Sequence, residues 1–366
     1  MKKTTPTQTL SILVLSAKGW GTGSALRAFY IAEALKQRGH RVQFVKPLPT
    51  LPGWIDMALS CPYYFWKTVF TRHQVVLAVK PYPTVIPAML WQKMLGAKTV
   101  IDVDDLDFAY SDGLFRTIHE WLQMPWPRRA DWVTYHNPKL KESLLDFFKV
   151  DPRKTIQLPQ GVNETIFNKK PLNPENLPAK AAALYKAKPR KPILVFTAHL
   201  NVACDLEPAL YAFKEVLHQI PQAQLLIAGG GPDENHFKKI TRDLGIEPSV
   251  HFTGLITISQ VAACLKISDL TLVYYSDTPV NHHRASMKLR EALVCGRPIV
   301  ATGVGETLQF KKMIFLSNPD PRSYAKRILS VLRTKKTLPP YNLASKKWSW
   351  IHCVENLEKE LLNEKS

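Results

Sequence analysis

The chain has 366 residues, 45% hydrophobic and 22% charged, a mixture that excludes a largely disordered or fibrous protein. Forty-nine Lys and Arg against 30 Asp and Glu leave a formal charge of +19, which selects anionic partners: nucleotides, acidic lipid headgroups or nucleic acid. Five widely spaced cysteines with no Cys-x-x-Cys pair argue against a disulfide framework or a zinc site and point to a reducing compartment.

At roughly 150 residues per domain the length predicts two domains. Met1–Lys3 and the apolar run Leu10–Ala17 have the outline of a weak signal peptide, but the run leads directly into a glycine turn and a helix. It therefore reads as the first strand of a βα unit. After Gly19-Trp-Gly-Thr-Gly-Ser24, residues Leu26, Phe29, Ala32 and Leu35 recur at helical spacing until Gly39. Val42–Val45, Gln74–Val79, Thr99–Val103, Asp131–Tyr135 and Lys154–Leu158 read as further strands, spaced widely enough for helical crossovers. A Pro- and Lys-rich stretch around 171–191 has linker composition. Beyond it the pattern restarts, with strands at Pro192–Phe196, Ala223–Ala228, Val250–Thr253, Leu270–Tyr274 and Pro298–Ala301 and helices at Leu206–Leu217, Ser259–Ile267 and Ser286–Val294. The fold class is α/β, with two doubly wound parallel sheets. No run reaches the ~18 apolar residues of a membrane span.

Four constellations bear chemistry. Gly21, Thr22, Gly23 and Ser24 precede a helix, where small residues let backbone N–H groups approach a phosphate or sugar; the glycine spacing fits neither the dinucleotide fingerprint nor a P-loop. Arg284, Lys288 and Glu291 fall on one face of the helix expected near Ser286–Val294, offering cations for a diphosphate and an acceptor for ribose hydroxyls. The acidic run Asp102-Val-Asp104-Asp105-Leu-Asp107 ends a strand, where open α/β sheets bind ligands. Trp54, Met57, Tyr63, Tyr64, Phe65, Trp66, Val69 and Phe70, with Lys67, Arg72 and His73 beside them, suit either a membrane interface or a packed core helix. Trp348, Trp350, Ile351, Val354, Leu357 and Leu361 mark an amphipathic C-terminal helix.

Glu291-Ala-Leu-Val-Cys-Gly-Arg-Pro-Ile-Val-Ala-Thr-Gly303-Val304-Gly305-Glu306 resembles the donor-site signature of the GT-B retaining glycosyltransferases of the family-4 type. Gly19–Arg27, Leu158–Asn163, Leu225–Pro232 and Val250–Gly254 resemble further landmarks of that family in the same order. The resemblance implies two Rossmann-like domains facing across a cleft. These are an acceptor-side domain at 1–170, a linker at 171–191, a nucleotide-sugar domain at 192–340, and a helix at 341–366 returning toward the first domain. It implies a metal-independent enzyme without cofactor whose substrate is a nucleotide-diphosphate sugar and whose acceptor is a lipid-linked or glycan hydroxyl. Its role would lie in cell-surface glycan or glycolipid synthesis, in the cytoplasm or on the inner membrane face, with contact to an anionic membrane and none to nucleic acid. Donor binding falls by resemblance on Arg284, Ser286, Lys288, Glu291, Gly303, Val304, Gly305, Glu306 and His199, with Lys288 and Glu291 also catalytic. Asp104 and Asp105 are the catalytic candidates of the acceptor side, joined there by Gly21–Ser24, His119 and His136. The chain departs from the pattern at His283, where a Glu is common, and at Ala198–His199, where an Arg and a Lys are common. These departures keep open a non-catalytic sugar-nucleotide or glycan-binding paralogue; a sugar-nucleotide epimerase, which would bind the same donor but need no second substrate, is the other alternative.

Overall fold

The computed structural model describes residues 8–49, 53–106, 113–334 and 348–363. The chain divides into two compact units: Met1–Gly161 with His283–Ala285 and Lys347–Ser366, and Val162–His282 with Ser286–Lys346. In the first, β1 (Ser11–Ser16), β2 (Arg41–Phe44), β3 (Val75–Val79), β4 (Lys98–Asp102), β5 (Trp132–Tyr135) and β6 (Thr155–Gln157) form one parallel sheet in the order β2-β1-β3-β4-β5-β6. In the second, β7 (Ile193–Thr197), β8 (Gln224–Ala228), β9 (Val250–Phe252), β10 (Leu270–Val273), β11 (Ile299–Thr302) and β12 (Phe315–Ser317) form another, in the order β12-β11-β10-β7-β8-β9.

The central strands are continuous apolar runs because helices cover both faces of each sheet. Every residue of β3, β7 and β8 is buried. Leu13, Leu15, Val76, Ile101, Val133 and Leu144 belong to the core of the first unit, and Leu194, Phe196, Phe213, Leu225, Leu272 and Ile328 to that of the second. The helix Gly23–Gln37 opens where Thr22 Oγ1 accepts from the Ala25 N–H (3.3 Å), the side-chain cap that a free helix N-terminus requires.

The boundary between units falls at Gly161/Val162 rather than at 170. Phe167 is buried and Lys266 Nζ donates to Asn168 Oδ1 (3.3 Å), so this stretch packs within the second unit. The Pro-rich stretch 171–191 is likewise counted there, with Leu177 and Ala181 buried and a short helix at Ala179–Lys186. The C-terminal segment forms two helices, Trp350–Cys353 and Glu355–Asn363, rather than one, and it packs in the first unit. There Trp350 stacks on Tyr30 at 5.8 Å between ring centroids, Arg38 Nε donates to Glu358 Oε2 (2.6 Å), and His40 Nε2 lies 2.8 Å from Glu358 Oε1. Asp107, the side chain of Trp54 and residues 341–347 lie outside the described positions. No described helix is long and apolar enough to cross a membrane.

Candidate functional site

In the second sheet the chain leaves β7 toward β8 on one side, while β10 lies on the other. This is the topological switch point, where open α/β sheets bind ligands beyond the carboxyl ends of their strands. Lys288 is held at this place, its Nζ 4.5 Å from the ring centre of Phe196 and 4.9 Å from that of Tyr275. Two aromatic faces favour the cation and limit its motion. Thr197 Oγ1, buried at the end of β7, has no hydrogen-bond partner among the described residues. Buried hydroxyls are nearly always paired, so an unpaired one at a switch point marks a place for a ligand or water.

The helix Met287–Val294 is positioned from its first residue. Ser286 Oγ accepts from the Leu289 N–H (3.1 Å) and from the Tyr275 hydroxyl (2.8 Å), so the cap is itself anchored to the end of β10. Thr302 Oγ1 donates to the Tyr275 carbonyl and accepts from the Tyr275 N–H, both at 2.8 Å, which ties β11 to the same point. Glu291 follows Lys288 at three-residue spacing, on the same side of the helix. Burial pushes its carboxyl up from the ordinary 4.5 to about 7. The structure thus brings Ser286, Lys288 and Glu291 together on one element.

Arg284 is different. Ser286 is the N-cap, with an extended backbone at φ −88° and ψ 106°, so Arg284 precedes the helix instead of sharing its face with Lys288. Glu306 is buried, its carboxylate accepting from Arg290 Nη2 (2.5 Å), Arg290 Nη1 (2.8 Å) and the Ser286 N–H (2.8 Å). It braces the helix start from inside; its carboxylate is not presented to a donor, which corrects the expectation for that side chain. Gly303, Val304 and Gly305 form the loop after β11. A Cβ at Gly305 would lie 2.5 Å from the Asn281 carbonyl oxygen, and the residue has φ +56°. Only glycine fits this approach without a shift.

His199 is exposed beyond the end of β7. The loop that carries it rests on Gly229–Gly231, where a Cβ would meet the carbonyl oxygens of Ala198 (2.0 Å) and Leu200 (2.3 Å). The glycine triplet therefore serves backbone-to-backbone packing. Asp205, unremarked in the sequence, accepts from Ser276 Oγ (2.6 Å) and Asn281 Nδ2 (2.9 Å) and so links the loops after β7 and β10. No local pattern signals this pairing across 71 and 76 residues.

In the first unit, the corresponding switch point lies between β1 and β3. Gly21, Thr22, Gly23 and Ser24 border it, as does Asp104, whose Oδ1 lies 3.4 Å from Lys80 Nζ. Lys80 follows β3 at φ +69°, an uncommon conformation for a side-chain-bearing residue, and Lys18 Nζ sits 4.1 Å from the ring centre of Tyr82. Sequence reasoning missed both lysines. Asp105 Oδ1 accepts from the Leu106 N–H (2.9 Å). His136 is buried with Nε2 2.7 Å from the Asp104 carbonyl oxygen, whereas His119 lies partly exposed on the separate helix Gly113–Gln123.

Asp102, the first residue of the acidic run, is structural. Its two oxygens accept from Arg27 Nε (2.7 Å) and Nη2 (2.9 Å), and Thr134 Oγ1 adds a third bond at 2.5 Å. Arg27 also donates to the Leu158 carbonyl (2.8 Å) and to Gln160 Oε1 (3.1 Å). Burial weakens the Arg27 charge, but the adjacent Asp102 carboxylate outweighs it and holds the pKa above the ordinary value.

Two doubly wound parallel sheets, each in its own unit and each with charged residues at its switch point, define the class of architecture called GT-B. Residues 191–334 match the family described as Glycosyl transferases group 1, and the chain has the GT-B fold of glycosyltransferase structures. The chain is 27% identical over 165 residues to an alpha-monoglucosyldiacylglycerol synthase of Streptococcus pneumoniae, spanning 45% of this chain but only 36% of that relative. It is 26% identical over 313 residues to an N-acetyl-alpha-D-glucosaminyl L-malate synthase of Bacillus anthracis, covering 77% of this chain and 76% of the relative. Among solved structures, HepE of Anabaena in complex with UDP-glucose superposes with a TM-score of 0.73 at 16% identity, over 97% of this chain and all of that one, a likeness of fold.

Proposed function

We propose that the chain is a retaining, metal-independent hexosyltransferase that moves a sugar from a nucleotide-diphosphate sugar to a hydroxyl of a lipid-linked or glycan acceptor. This transfer serves cell-surface glycan or glycolipid synthesis in the cytoplasm, at the surface of an anionic membrane. The observation that supports it most is the placing of Lys288 over Phe196 and Tyr275 at the switch point of the second sheet. Glu291 lies beside it on the same helix. In this reading Lys288 and the N–H groups of the helix start offset the charge that builds on the departing diphosphate, a term that acts mainly in the transition state. Glu291 accepts from the ribose hydroxyls and orients the nucleoside. The Gly303–Gly305 backbone approaches the donor, Arg284 adds a cation to the donor side, and His199 adds a polar contact. Asp104, Asp105, His119, His136 and the Gly21–Ser24 turn serve the acceptor side. The C1–oxygen bond to the diphosphate breaks, the acceptor oxygen bonds to C1 on the same face, and its proton passes to the leaving phosphate.

Thermal stability measured against UDP, GDP, ADP, CMP and dTDP and their common sugars, with and without Mg²⁺, tests this reading. One base should stabilise the protein without metal, and Lys288→Ala and Glu291→Ala should abolish the effect. Absence of any shift would refute the donor site. Binding without turnover would select a non-catalytic role, and turnover of the donor without acceptor would select an epimerase.

A further inference from the structure

The solvent face of the helix Gly53–Thr68 inverts the usual rule. Ile55, Leu59, Pro62 and Trp66 recur at spacings of four, three and four residues, and Phe70 continues the stripe just beyond the helix; all five are exposed. On an ordinary surface helix these positions carry polar side chains, and the apolar stripe faces inward. Here Tyr64 and Thr68 supply the buried side, with the Tyr64 hydroxyl donating to the Ser16 carbonyl (2.5 Å). The outward residues are large: Trp66 is 69% exposed and Phe70 82%.

The stripe continues onto the next helix, Ile86–Met94. Trp91 Nε1 donates to the Val69 carbonyl (3.0 Å), Phe65 and Trp91 make an edge contact at 5.8 Å, and Arg72 Nε donates to the Leu95 carbonyl (3.2 Å). Leu90 and Met94, the latter 79% exposed, are the immediate sequence neighbours of Trp91 and Leu95, the two residues that make these contacts. Lys67, Arg72 and Lys93 are exposed within or beside this surface, and Lys93 Nζ donates to the Arg129 carbonyl (3.1 Å), bringing Arg129 to its margin. Residues 53–98 contain five Lys and Arg and one acidic residue, Asp56. The helix Gly113–Gln123 of the same unit exposes Leu114, Ile118 and Trp121 at spacings of four and three. Among the described residues, the second unit has no comparable run: its exposed large apolar residues there, Tyr185, Tyr211, Leu255 and Leu308, are scattered in sequence.

We propose that this surface, centred on Trp66, Phe70 and Met94 and ringed by Lys67, Arg72, Lys93 and Arg129, docks on an anionic phospholipid bilayer. It deepens the reading of a membrane-associated transferase given above by assigning the contact to named side chains. A bilayer suits it better than a protein partner because the patch combines protruding aromatic and thioether side chains with a cationic margin. Aromatic rings settle at the headgroup boundary while lysine and arginine meet lipid phosphates.

The test uses the full chain and two vesicle populations, phosphatidylcholine alone and equal parts phosphatidylcholine and phosphatidylglycerol, separated by flotation. The protein should float with the anionic vesicles, less so as salt rises, and very little with the neutral ones. Trp66→Ser/Phe70→Ser/Met94→Ser should reduce this partitioning by at least about tenfold. Tyr185→Ser/Tyr211→Ser on the second unit should leave it unchanged. Nucleotide-dependent thermal stabilisation is measured on every variant; its retention in the triple variant shows an intact fold and keeps the donor reading separate from the docking surface. Equal flotation of the triple variant and the parent overturns the proposal, as does self-association in sedimentation that the triple variant abolishes without any vesicle binding. Loss of nucleotide stabilisation in the parent, with flotation intact, would overturn the donor reading alone.

Discussion

Glu291→Gln separates the binding role of this side chain from its effect on folding. A carboxyl raised from the ordinary 4.5 to about 7 is more easily protonated in the folded chain than in the unfolded one. The folded state therefore loses stability as pH rises from about 4.5 through 7, and the loss is complete above that range. The full shift corresponds to roughly 3 kcal/mol, which partial solvent access reduces to about 2 kcal/mol. The neutral isostere removes this penalty. At pH 8 the variant should be more stable than the parent by about 2 kcal/mol in urea denaturation, and near pH 4.5 the two should coincide. Ligand affinity should move the other way. If the bound ribose requires the ionised carboxylate, the parent's affinity for a nucleotide-diphosphate sugar should fall about tenfold between pH 8 and pH 6, with a proton released on binding at the lower pH. The sugar diester is the appropriate ligand because a free nucleoside diphosphate carries its own phosphate ionisation near pH 6. Titration calorimetry in two buffers of different ionisation enthalpy counts the proton directly. A variant less stable than the parent at pH 8, or one that binds as tightly and with the same pH profile, would refute the reasoning.

Three other substitutions probe separate parts of the molecule. Arg27→Met leaves Asp102 buried without its cation and should cost about 3–5 kcal/mol in chemical denaturation, while the double variant Arg27→Met/Asp102→Leu should recover much of that loss. Gly305→Ala forces a Cβ against the Asn281 carbonyl at a positive φ, and nucleotide-dependent thermal stabilisation should decrease more than stability of the free protein does. Arg290→Lys keeps the charge but not the forked pair of bonds to Glu306; circular dichroism should show a melting temperature lowered by several degrees, reflecting about 1–3 kcal/mol.

The strands, their parallel direction and the helix near Ser286 were legible because each rests on local regularity: an apolar run, a crossover long enough for a helix, an amphipathic turn. β12 and the helix Pro321–Thr334 escaped notice for the opposite reason. Phe315–Ser317 is only three residues long and partly buried, and its neighbour earns its place by packing, with the buried Tyr324 hydroxyl donating to the Val300 carbonyl (2.9 Å). The same contrast divides the site. Lys288 and Glu291 share a helix and were visible as a pair. Arg290 and Glu306 stand 16 residues apart, on an α-helix and in the 3₁₀ helix Gly305–Phe310, and only the fold reveals that one neutralises the other. This pairing has a functional consequence, because it leaves Lys288 as the helix cation held over the switch-point rings while Arg290 is engaged beneath. A sequence reader who sees Lys288-Leu-Arg290-Glu291 finds three charges in four residues. Folding assigns the middle cation to the interior brace and leaves the outer two charges as the candidate donor pair, with burial alone raising the Glu291 carboxyl to about 7.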